Sequence, residues 1–338
     1  MAQADRSHPG ARALSRVLLW DVHGSYTDTL LTGPHTYLFP TRDASGRGGL
    51  SRLGGRAPGN AVELPWMQMR KEPPDVVVLQ READLLDCAV HLGRRPGREI
   101  AAVWLEHNTP RVRVPDSWHP MAEVPGVLIV HVTHFNALLW DCGTAPTMVV
   151  EHGVADLGHQ YTGEQARLAY VVNEPVRRWR VTGTDLLPVF AEHPIDAFGI
   201  DGDLLAKRLG QSCPRLRFAG NLAPEDLPTE LAQRRAYLHL HRWTSLGLSL
   251  LEAMVLGMPV LALDTTEASR AVPTGAGAVS SDLDELRRTA ARLLSDVDEA
   301  RARGEVARQA ALERYPLDRF LARWDEAYAR AQELVGSG

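Results

Sequence analysis

Cysteine is scarce in this 338-residue chain, which contains only Cys88, Cys142 and Cys213, widely spaced and without a CxxC pair. This spacing argues against a disulfide framework or a zinc finger and is typical of a reducing compartment. No uncharged apolar run reaches the roughly 18 residues that a membrane-spanning helix needs. Residues 1–12 have no apolar segment of the kind that directs secretion. We therefore expect a cytoplasmic protein without a transmembrane segment, while peripheral membrane contact and a homo-oligomer stay open.

Positive charge is also in short supply, because 37 Lys and Arg face 42 Asp and Glu, for a formal net charge of -5. A general nucleic-acid-binding protein is usually basic, so we expect no nucleic-acid partner. The chain has no P-loop, no GxGxxG after its first apolar run and no HExxH. Residues 201–203 read Asp-Gly-Asp, a bare DxD that could hold Mn or Mg, but matches of three residues are common. We expect no metal and no cofactor.

Short apolar runs, which alternate with longer helical patterns, are the main feature that is present. Apolar runs bounded by turn residues are typical of parallel strands covered on both faces. The length suits two domains rather than one. These features predict an α/β fold with two Rossmann-like domains. Strands are predicted at residues 16–22, 75–79, 100–105, 127–130, 147–150, 169–172, 197–199, 216–219, 236–239 and 259–263.

Helical spacing is found at residues 81–92, 248–256 and 282–294, and again in a final helix at 317–335. That final helix places Phe320, Trp324 and Tyr328 at i, i+4 and i+8, an apolar stripe that needs a partner surface. We predict an N-terminal domain at 1–162, a C-terminal domain at 163–316 and the C-terminal helix at 317–338.

Residues 242–260 are the most informative segment. Thr244 and Ser245 are good N-cap residues, and Gly247 allows another group to approach the backbone closely. A helix over 248–256, ended by Gly257, would present its free N–H groups and its dipole at a strand end, which favours an anion. Glu252 lies too far into this helix to cap it, but a carboxylate there can accept hydrogen bonds from a diol such as ribose.

The same segment resembles the GT-B glycosyltransferases, and specifically the retaining family 4 with its motif E-x-F-G-x-x-x-x-E-A-M-x-x-G-x-P-V. The matching residues are Gly247, Glu252-Ala253-Met254, Gly257 and Pro259-Val260. The resemblance implies two Rossmann-like domains that face each other across a cleft. The N-terminal domain would bind the acceptor and the C-terminal domain the nucleotide sugar, and the C-terminal helix could cross back to the N-terminal domain.

The resemblance also implies roles for individual residues. Glu252 would hold the ribose of the donor. The chain departs from the family at Thr244, which replaces a glutamate eight positions before Glu252 that touches hydroxyls of the donor sugar. Thr244 keeps a hydrogen-bonding group but carries no charge. The distal phosphate of the donor would meet the turn formed by Ser245, Leu246, Gly247 and Leu248.

A diphosphate leaving group needs positive charge, and the family supplies it just after the first strand of the C-terminal domain. Here that position holds Arg177, Arg178 and Arg180, of which Arg178 and Arg180 are favoured. Arginine can grip phosphate with two N–H groups and stays charged. The alternative interpretation is a solvated basic helix start. Arg242 is a further candidate for the donor site, with a surface role as its alternative.

Two positions in the N-terminal half match the family by location. Gly24 follows the first predicted strand, where the family has a glycine that lets the backbone approach the donor, although a plain turn would look the same. His107 ends the strand at 100–105, where a family histidine contacts the donor sugar near the reacting centre, although a structural histidine is an alternative.

The sequence therefore predicts a metal-independent glycosyltransferase of the hexosyltransferase type. It would move a sugar from a UDP- or GDP-linked donor to an unknown acceptor hydroxyl, with retention of anomeric configuration. Same-face attack, in which the leaving phosphate takes the proton, explains why no paired carboxylates of the glycosidase kind are needed. Two alternatives remain: a sugar-nucleotide epimerase of the same fold, and a non-catalytic protein that binds sugar nucleotides.

Overall fold

The computed structural model describes residues 14–41, 49–50, 57–108 and 116–336. Within these residues the backbone forms two sheets of seven and six strands with helices between the strands, and the strand pairs with a described register are parallel. The predicted α/β class with two Rossmann-like sheets is confirmed. All ten predicted strands are present, and three further strands were not predicted.

The first sheet has the strand order β3-β2-β1-β4-β5-β6-β7. Its inner strands are mostly apolar: the run Val-Val-Val-Leu of β4 and the strands β5 and β6, which end in Glu106 and His131, are buried at every residue. Burial on both faces is what a parallel sheet covered by helices requires. The strands are β1 (Arg16–Leu19), β2 (Thr36–Thr41), β3 (Ala61–Pro65), β4 (Val76–Leu79), β5 (Ala101–Glu106), β6 (Val127–His131) and β7 (Thr147–Val149).

The helices of this half are short. The predicted helix at 81–92 starts at Glu82, where the carboxylate of Asp84 accepts the backbone N–H of the N-cap residue Arg81, and its last turn changes to π geometry. It is the third of four helices here: α1 (Gly24–Leu30), α2 (Trp66–Lys71), α3 (Glu82–Asp87) with the π-helical turn Cys88–Leu92, and α4 (His134–Leu139).

The second sheet has the order β10-β9-β8-β11-β12-β13. The strands β9, β11 and β12 are buried at every residue, which accounts for the apolar runs that predicted them. The strands are β8 (Gln165–Val171), β9 (Ile195–Phe198), β10 (Leu216–Gly220), β11 (Arg234–His239), β12 (Val260–Leu263) and β13 (Gly277–Ser280).

Helices connect these strands, and the ends of several are set by local chemistry. Side chains of Asp282 and Asp296 cap two of them by accepting backbone N–H groups of the first turn. None of the helices in the described residues is both long and apolar enough to cross a bilayer. The helices are α5 (Pro175–Arg178), the 3-10 helix Thr184–Phe190, α6 (Gly202–Leu209), α7 (Leu227–Ala232), α8 (Leu248–Leu256), α9 (Ala268–Ala271), α10 (Leu283–Ser295), α11 (Val297–Arg314) and α12 (Leu317–Gly336).

The chain divides into two compact units. One takes its described residues from Met1–Leu105, Val124–Leu128 and Glu326–Gly338, and the other from Glu106–Glu123 and Ile129–Asp325. The stripe predicted on the final helix is buried, with Phe320, Trp324 and Tyr328 each at most 2% exposed. Tyr328 lies edge-on to His35, with 5.2 Å between ring centroids. The end of α12 thus belongs with the first unit, while the domain boundaries at 162 and 316 stay predictions.

Candidate functional site

The strand order of the second sheet identifies a crevice. The chain leaves β8 for β9 and β10 on one side and returns to β11 on the other, so the connections that follow β8 and β11 diverge. In parallel sheets, ligands bind at this reversal, beyond the carboxyl ends of the strands. The connections concerned, residues 172–183 and 240–247, contain most of the site residues that the sequence predicts.

These two connections are held together by their backbones. The N–H groups of Arg242 and Trp243 both donate to the carbonyl oxygen of Val181, at 2.9 and 3.2 Å. Gly183 has a φ of 70°, and a Cβ at this position would lie 1.8 Å from the carbonyl oxygen of Leu240. Only glycine fits so close to the neighbouring connection. The approach fixes the segment that carries the arginines beside the segment that leads into α8.

Helix α8 begins at this crevice without a side-chain cap. Its N-cap residue is Gly247, in an extended conformation, and no side chain bonds to the first-turn N–H groups. Thr244 and Ser245 are therefore not the N-cap residues: Thr244 Oγ1 donates instead to the carbonyl oxygen of Ser245, at 3.2 Å. Leu246 is buried and Leu248 starts the helix. An uncapped helix start keeps its backbone N–H groups available for an anion.

Glu252 lies one and a half turns into α8 and is partly buried. Its carboxylate makes no hydrogen bond or ion pair with the residues that the structure describes, and burial raises the pKa of this carboxyl above its usual value. Buried polar groups in proteins are nearly always hydrogen-bonded, so an unpartnered carboxylate needs an explanation. A perturbed group at a strand-end crevice is what a ligand site would contain.

The structure separates the four candidate arginines. Arg177 and Arg180 are exposed, at 68% and 73%, and pair with Glu174 and Asp185 respectively. Arg242 is less exposed and makes two hydrogen bonds to the same Asp185, at 2.6 and 3.1 Å. Each of these three guanidinium groups therefore already has a carboxylate partner in the chain, with Arg180 and Arg242 sharing Asp185.

Arg178, the last residue of α5, differs from its neighbours because its charge acts on buried groups. It helps to lower the pKa of His241, after the larger effects of burial and of His239, and it also acts on Tyr170. His241 follows β11, so Arg178 reaches the side of the crevice from which α8 starts. Of the predicted arginines, Arg178 is the one whose charge acts on a buried group of the neighbouring connection.

Two histidines that the sequence analysis did not select lie at the same strand end. His239 is the last residue of β11 and is fully buried, and His241 is 7% exposed. Their rings lie 4.3 Å apart, and burial lowers the pKa of His239 to about 4. The signal for them was present in the sequence, since a strand of the core rarely ends in two polar rings separated by one residue.

The N-terminal candidates follow strands as predicted. Gly24 is the first residue of α1, five residues beyond the end of β1. His107 comes directly after β5 and is buried, at 9% exposure. The preceding Glu106 accepts the backbone N–H of Asn108, at 2.6 Å. Their contacts with a ligand stay predictions.

The Asp-Gly-Asp segment has a local structural use. Asp201 adopts a left-handed conformation, with a φ of 62°, immediately before α6. Asp203 in the first turn of that helix pairs with Lys207 one turn later, at 3.1 Å. An acidic residue in the first turn of a helix and a basic residue one turn on stabilise the helix. This arrangement explains the segment without a metal.

Sequence comparison gives one match in the C-terminal half. Residues 206–310 match the model of the family glycosyl transferases group 1. The matched range contains β10 to β13 and the whole of α8 with Glu252. No curated protein sequence matches the chain significantly.

Solved structures share the fold at low sequence identity. A glycosyltransferase from Rickettsia africae is 11% identical with a TM-score of 0.71, over 97% of this chain and 100% of that one. Anabaena HepE in complex with UDP-glucose is 14% identical with a TM-score of 0.70, over 93% and 99%.

A mutant of S. aureus TarM, in a complex that includes UDP, is 12% identical with a TM-score of 0.63. That match covers 78% of this chain but only 58% of TarM, so the chain spans less than two thirds of that protein. The chain therefore has the two-sheet α/β fold of solved glycosyltransferases, and its residues 206–310 match the glycosyl transferases group 1 family.

Proposed function

We propose that the chain is a glycosyltransferase that takes a sugar from a nucleoside diphosphate donor and transfers it to an acceptor hydroxyl. The observation that carries the proposal is the unpartnered carboxylate of Glu252, in a helix that starts uncapped at the reversal of the second sheet. The family match covers this helix and its neighbouring strands. The fold is also that of solved glycosyltransferases.

The donor would bind along the start of α8. The N–H groups at Gly247 and Leu248 and the helix dipole favour the diphosphate, and Arg178 adds a full positive charge. Glu252 would accept hydrogen bonds from the ribose hydroxyls, which explains why its carboxylate has no partner in the chain. UDP is the nucleotide we favour, because HepE and TarM were solved with UDP-glucose and UDP.

Transfer would proceed with retention of the anomeric configuration and without a metal ion. The acceptor hydroxyl would attack on the face from which the diphosphate leaves, and a phosphate oxygen would take its proton. The residues then act by positioning the sugar and by stabilising the charge that develops on the leaving group. Arg178 and the α8 amides serve the second purpose, while Thr244 and His107 would contact the sugar.

Cytoplasmic localisation is part of the same proposal. The three cysteines are free thiols, Cys88 and Cys213 in the core and Cys142 partly exposed. Free thiols suit the reducing compartment in which nucleotide sugars are made available to such enzymes.

Ligand-induced stabilisation and product analysis test the proposal in two steps. A ligand that binds only the folded chain raises its melting temperature by mass action, so UDP or GDP should raise it more than the matching nucleoside does, and ATP should leave it unchanged. Incubation with UDP-hexoses and a panel of hydroxyl acceptors, with and without EDTA, should then give an α-linked product from an α-linked donor. If no nucleoside diphosphate raises the melting temperature, the proposal is wrong.

A non-catalytic binding protein is the second candidate, and Thr244 favours it. Thr244 brings no charge to the position where the family has a glutamate, and Arg180 and Arg242 are already paired with Asp185. Binding of UDP without turnover of any donor or acceptor would support this candidate. Isomerisation of the donor sugar in the absence of an acceptor would instead identify an epimerase.

A further inference from the structure

His239 and His241 form a contact pair at the carboxyl end of β11. Their Nδ1 atoms lie 3.2 Å apart, within hydrogen-bonding distance, and one of them must therefore donate a proton to the other. The ring of His239 also stacks on Tyr237, at 6.1 Å between centroids. The contact thus ties His241, in the connection after β11, to the last residue of the strand.

The two outer nitrogens of the pair have different surroundings. Nε2 of His239 is sealed from solvent and has no hydrogen-bond partner among the residues that the structure describes. His241 keeps 7% of its surface exposed, and its Nε2 makes no hydrogen bond with the described residues but is not sealed. Burial lowers the pKa of His239 to about 4 and, with His239 and Arg178, lowers the pKa of His241 further. Both rings are therefore neutral at neutral pH, and each carries one proton.

The available hydrogen-bond partners determine which ring nitrogen of each histidine carries the proton. If His241 donated from Nδ1, the proton of His239 would lie on its sealed Nε2, as a buried N–H group without an acceptor. Orphaned buried N–H groups are rarer in proteins than acceptors that lack a donor. If His239 donates instead, only a lone pair is left unsatisfied at its Nε2. His241 must then carry its proton on Nε2, the nitrogen that reaches the surface of the protein.

The pair lies beneath the start of α8. Cε1 of His239 is 3.2 Å from the position that a Cβ on Gly247 would occupy, so a larger residue at the N-cap would press on the ring. Arg178 acts on His241 from the other connection. Uncapped amides, a guanidinium group and an imidazole N–H thus converge on one end of β11, and all three favour an anion.

We infer that His241 is a donor-binding residue whose Nε2–H group donates to a diphosphate oxygen of the nucleotide, and that His239 is a positioning residue that fixes this tautomer. The inference rests on the proposed function, since it assumes that a nucleoside diphosphate binds at α8. It adds to the anion site a neutral donor that needs no change of charge. A hydrogen bond from a second residue commonly fixes which histidine nitrogen carries the proton.

Long-range 15N NMR of the histidine rings tests the tautomer directly. In the wild-type protein at pH 7.5 we expect His241 with a protonated Nε2 and a bare Nδ1. His239→Leu should allow both tautomers of His241, whereas His239→Asn, whose amide can donate in place of Nδ1, should keep the wild-type pattern. A protonated Nδ1 in wild-type His241 would overturn the inference.

Calorimetric titration with UDP and with uridine tests the contact. His241→Leu should weaken UDP binding by about 5- to 10-fold, the effect of one hydrogen bond, and leave uridine binding unchanged. His241→Gln, whose amide N–H can replace Nε2–H, should recover most of the loss. The matched control is His193→Gln, which should bind UDP as the wild-type protein does. His193 is a buried histidine two residues before β9, and its Nε2 lies 3.3 Å from the carbonyl oxygen of Arg287.

The outcomes separate this inference from the proposed function. If UDP binds the wild-type protein and His241→Leu, with an unchanged melting temperature, binds it equally well, the inference is wrong and the proposed function stands. If His241→Leu melts earlier, its uridine affinity decides, because a lost diphosphate contact weakens UDP binding alone, whereas a damaged site weakens the binding of both ligands and His241→Leu then overturns the inference. If neither UDP nor GDP binds the wild-type protein, both are wrong.

Discussion

Both sheets contain a reversal of strand order, but the polar groups beside the two reversals differ in how well they are hydrogen-bonded. In the first sheet the order reverses between β1 and β4, and the ends of these strands are joined by the side chain of Gln80, which donates to the carbonyl oxygen of Trp20 at 2.7 Å. The nearby carboxylate of Asp84 is buried but accepts the N–H groups of Gln80 and Arg81, at 2.9 and 3.0 Å. The polar groups described here are satisfied by the chain.

In the second sheet the reversal between β8 and β11 keeps polar groups that the chain does not satisfy. Glu252 has a partly buried carboxylate without a partner, and His239 has a sealed nitrogen without one. Leaving such groups unpaired costs free energy, which a bound ligand can offset. The comparison teaches that topology marks both reversals as places where a ligand can bind, while the unsatisfied groups of Glu252 and His239 mark the second as one that suits a charged ligand.

Substitution of Arg178 should have the largest effect on activity. Arg178→Ala removes the one predicted arginine whose charge acts on the buried end of β11. We expect kcat/KM for the UDP-sugar to fall by on the order of 100- to 1000-fold, as for other single contacts to a charge that develops in the transition state. Steady-state kinetics measures this directly.

The preceding residue provides a matched control. Arg177 is on the same helix, is 68% exposed and pairs with Glu174, so Arg177→Ala should change kcat/KM less than twofold. Equal losses for the two variants would contradict the assignment and place the anion elsewhere.

Glu252→Gln should have the next largest effect and should act on function and stability in opposite directions. Loss of a charged acceptor for the ribose hydroxyls should lower kcat/KM by about 10- to 100-fold. Because burial raises the pKa of Glu252, its ionised form destabilises the folded state, and the stability it costs grows as the pH rises through the folded pKa. The variant should therefore melt above wild type at pH 7.

The pH dependence supplies the check on this prediction. Below the unfolded pKa of glutamate, about 4.3, both Glu252 and its glutamine replacement are neutral, and the difference in melting temperature should disappear. Glu313→Gln, at an exposed position of α11, should match wild type in activity and in melting at both pH values. A Glu252→Gln variant that melts below wild type at pH 7 would show that the carboxylate has a stabilising partner.

The sequence could predict the fold because its central strands are continuous apolar runs. The strands that escaped prediction lack this feature: β2 contains Pro40, while β3 and β13 lie at the edges of their sheets and are at most partly buried. An edge strand pairs on one side only and tolerates polar residues and proline, so neither apolar continuity nor alternation marks it.

The sequence could predict those parts of the site whose residues lie close together along the chain. The spacing of Gly247, Glu252 and Gly257 lies within one turn and one helix, and the structure has that helix at residues 248–256. The pairing of Arg242 with Asp185 joins residues 57 positions apart, so the sequence could not show that this arginine is already neutralised. The two histidines at the end of a predicted core strand were a local signal, but only the structure shows that Nε2 of His239 has no partner among the described residues.

Asp185→Asn should have a moderate effect, mainly on stability. Burial disfavours the charge of Asp185, but hydrogen bonds and the charges of Arg242 and Arg180 outweigh it and hold the pKa of this carboxyl below its usual value. Its contribution is therefore present above the unfolded pKa, about 3.9, and is lost as the pH falls through the folded pKa. We expect a loss of about 1–2 kcal/mol at pH 7 that shrinks as the pH falls below about 3.9, measured by thermal melting over this range of pH.

Asp185→Glu is the control for this substitution, since it keeps the charge and should retain part of the lost stability. The exposed ion pair of Asp203 with Lys207 gives a second reference, because Asp203→Asn removes a surface pair that contributes little. If Asp185→Asn melts no earlier than Asp203→Asn at pH 7, the carboxylate does not hold the two connections together.

Gln80→Ala should have the smallest effect and tests the comparison from its other side. The substitution removes the hydrogen bond to Trp20 at the reversal of the first sheet and should lower stability by about 1 kcal/mol. Because the polar groups at this reversal are satisfied within the chain, we expect the affinity for UDP, measured by calorimetric titration, to change less than twofold. A loss of UDP affinity as large as that of Arg178→Ala would mean that the first reversal also takes part in binding the nucleotide, and the contrast between the two would have to be abandoned.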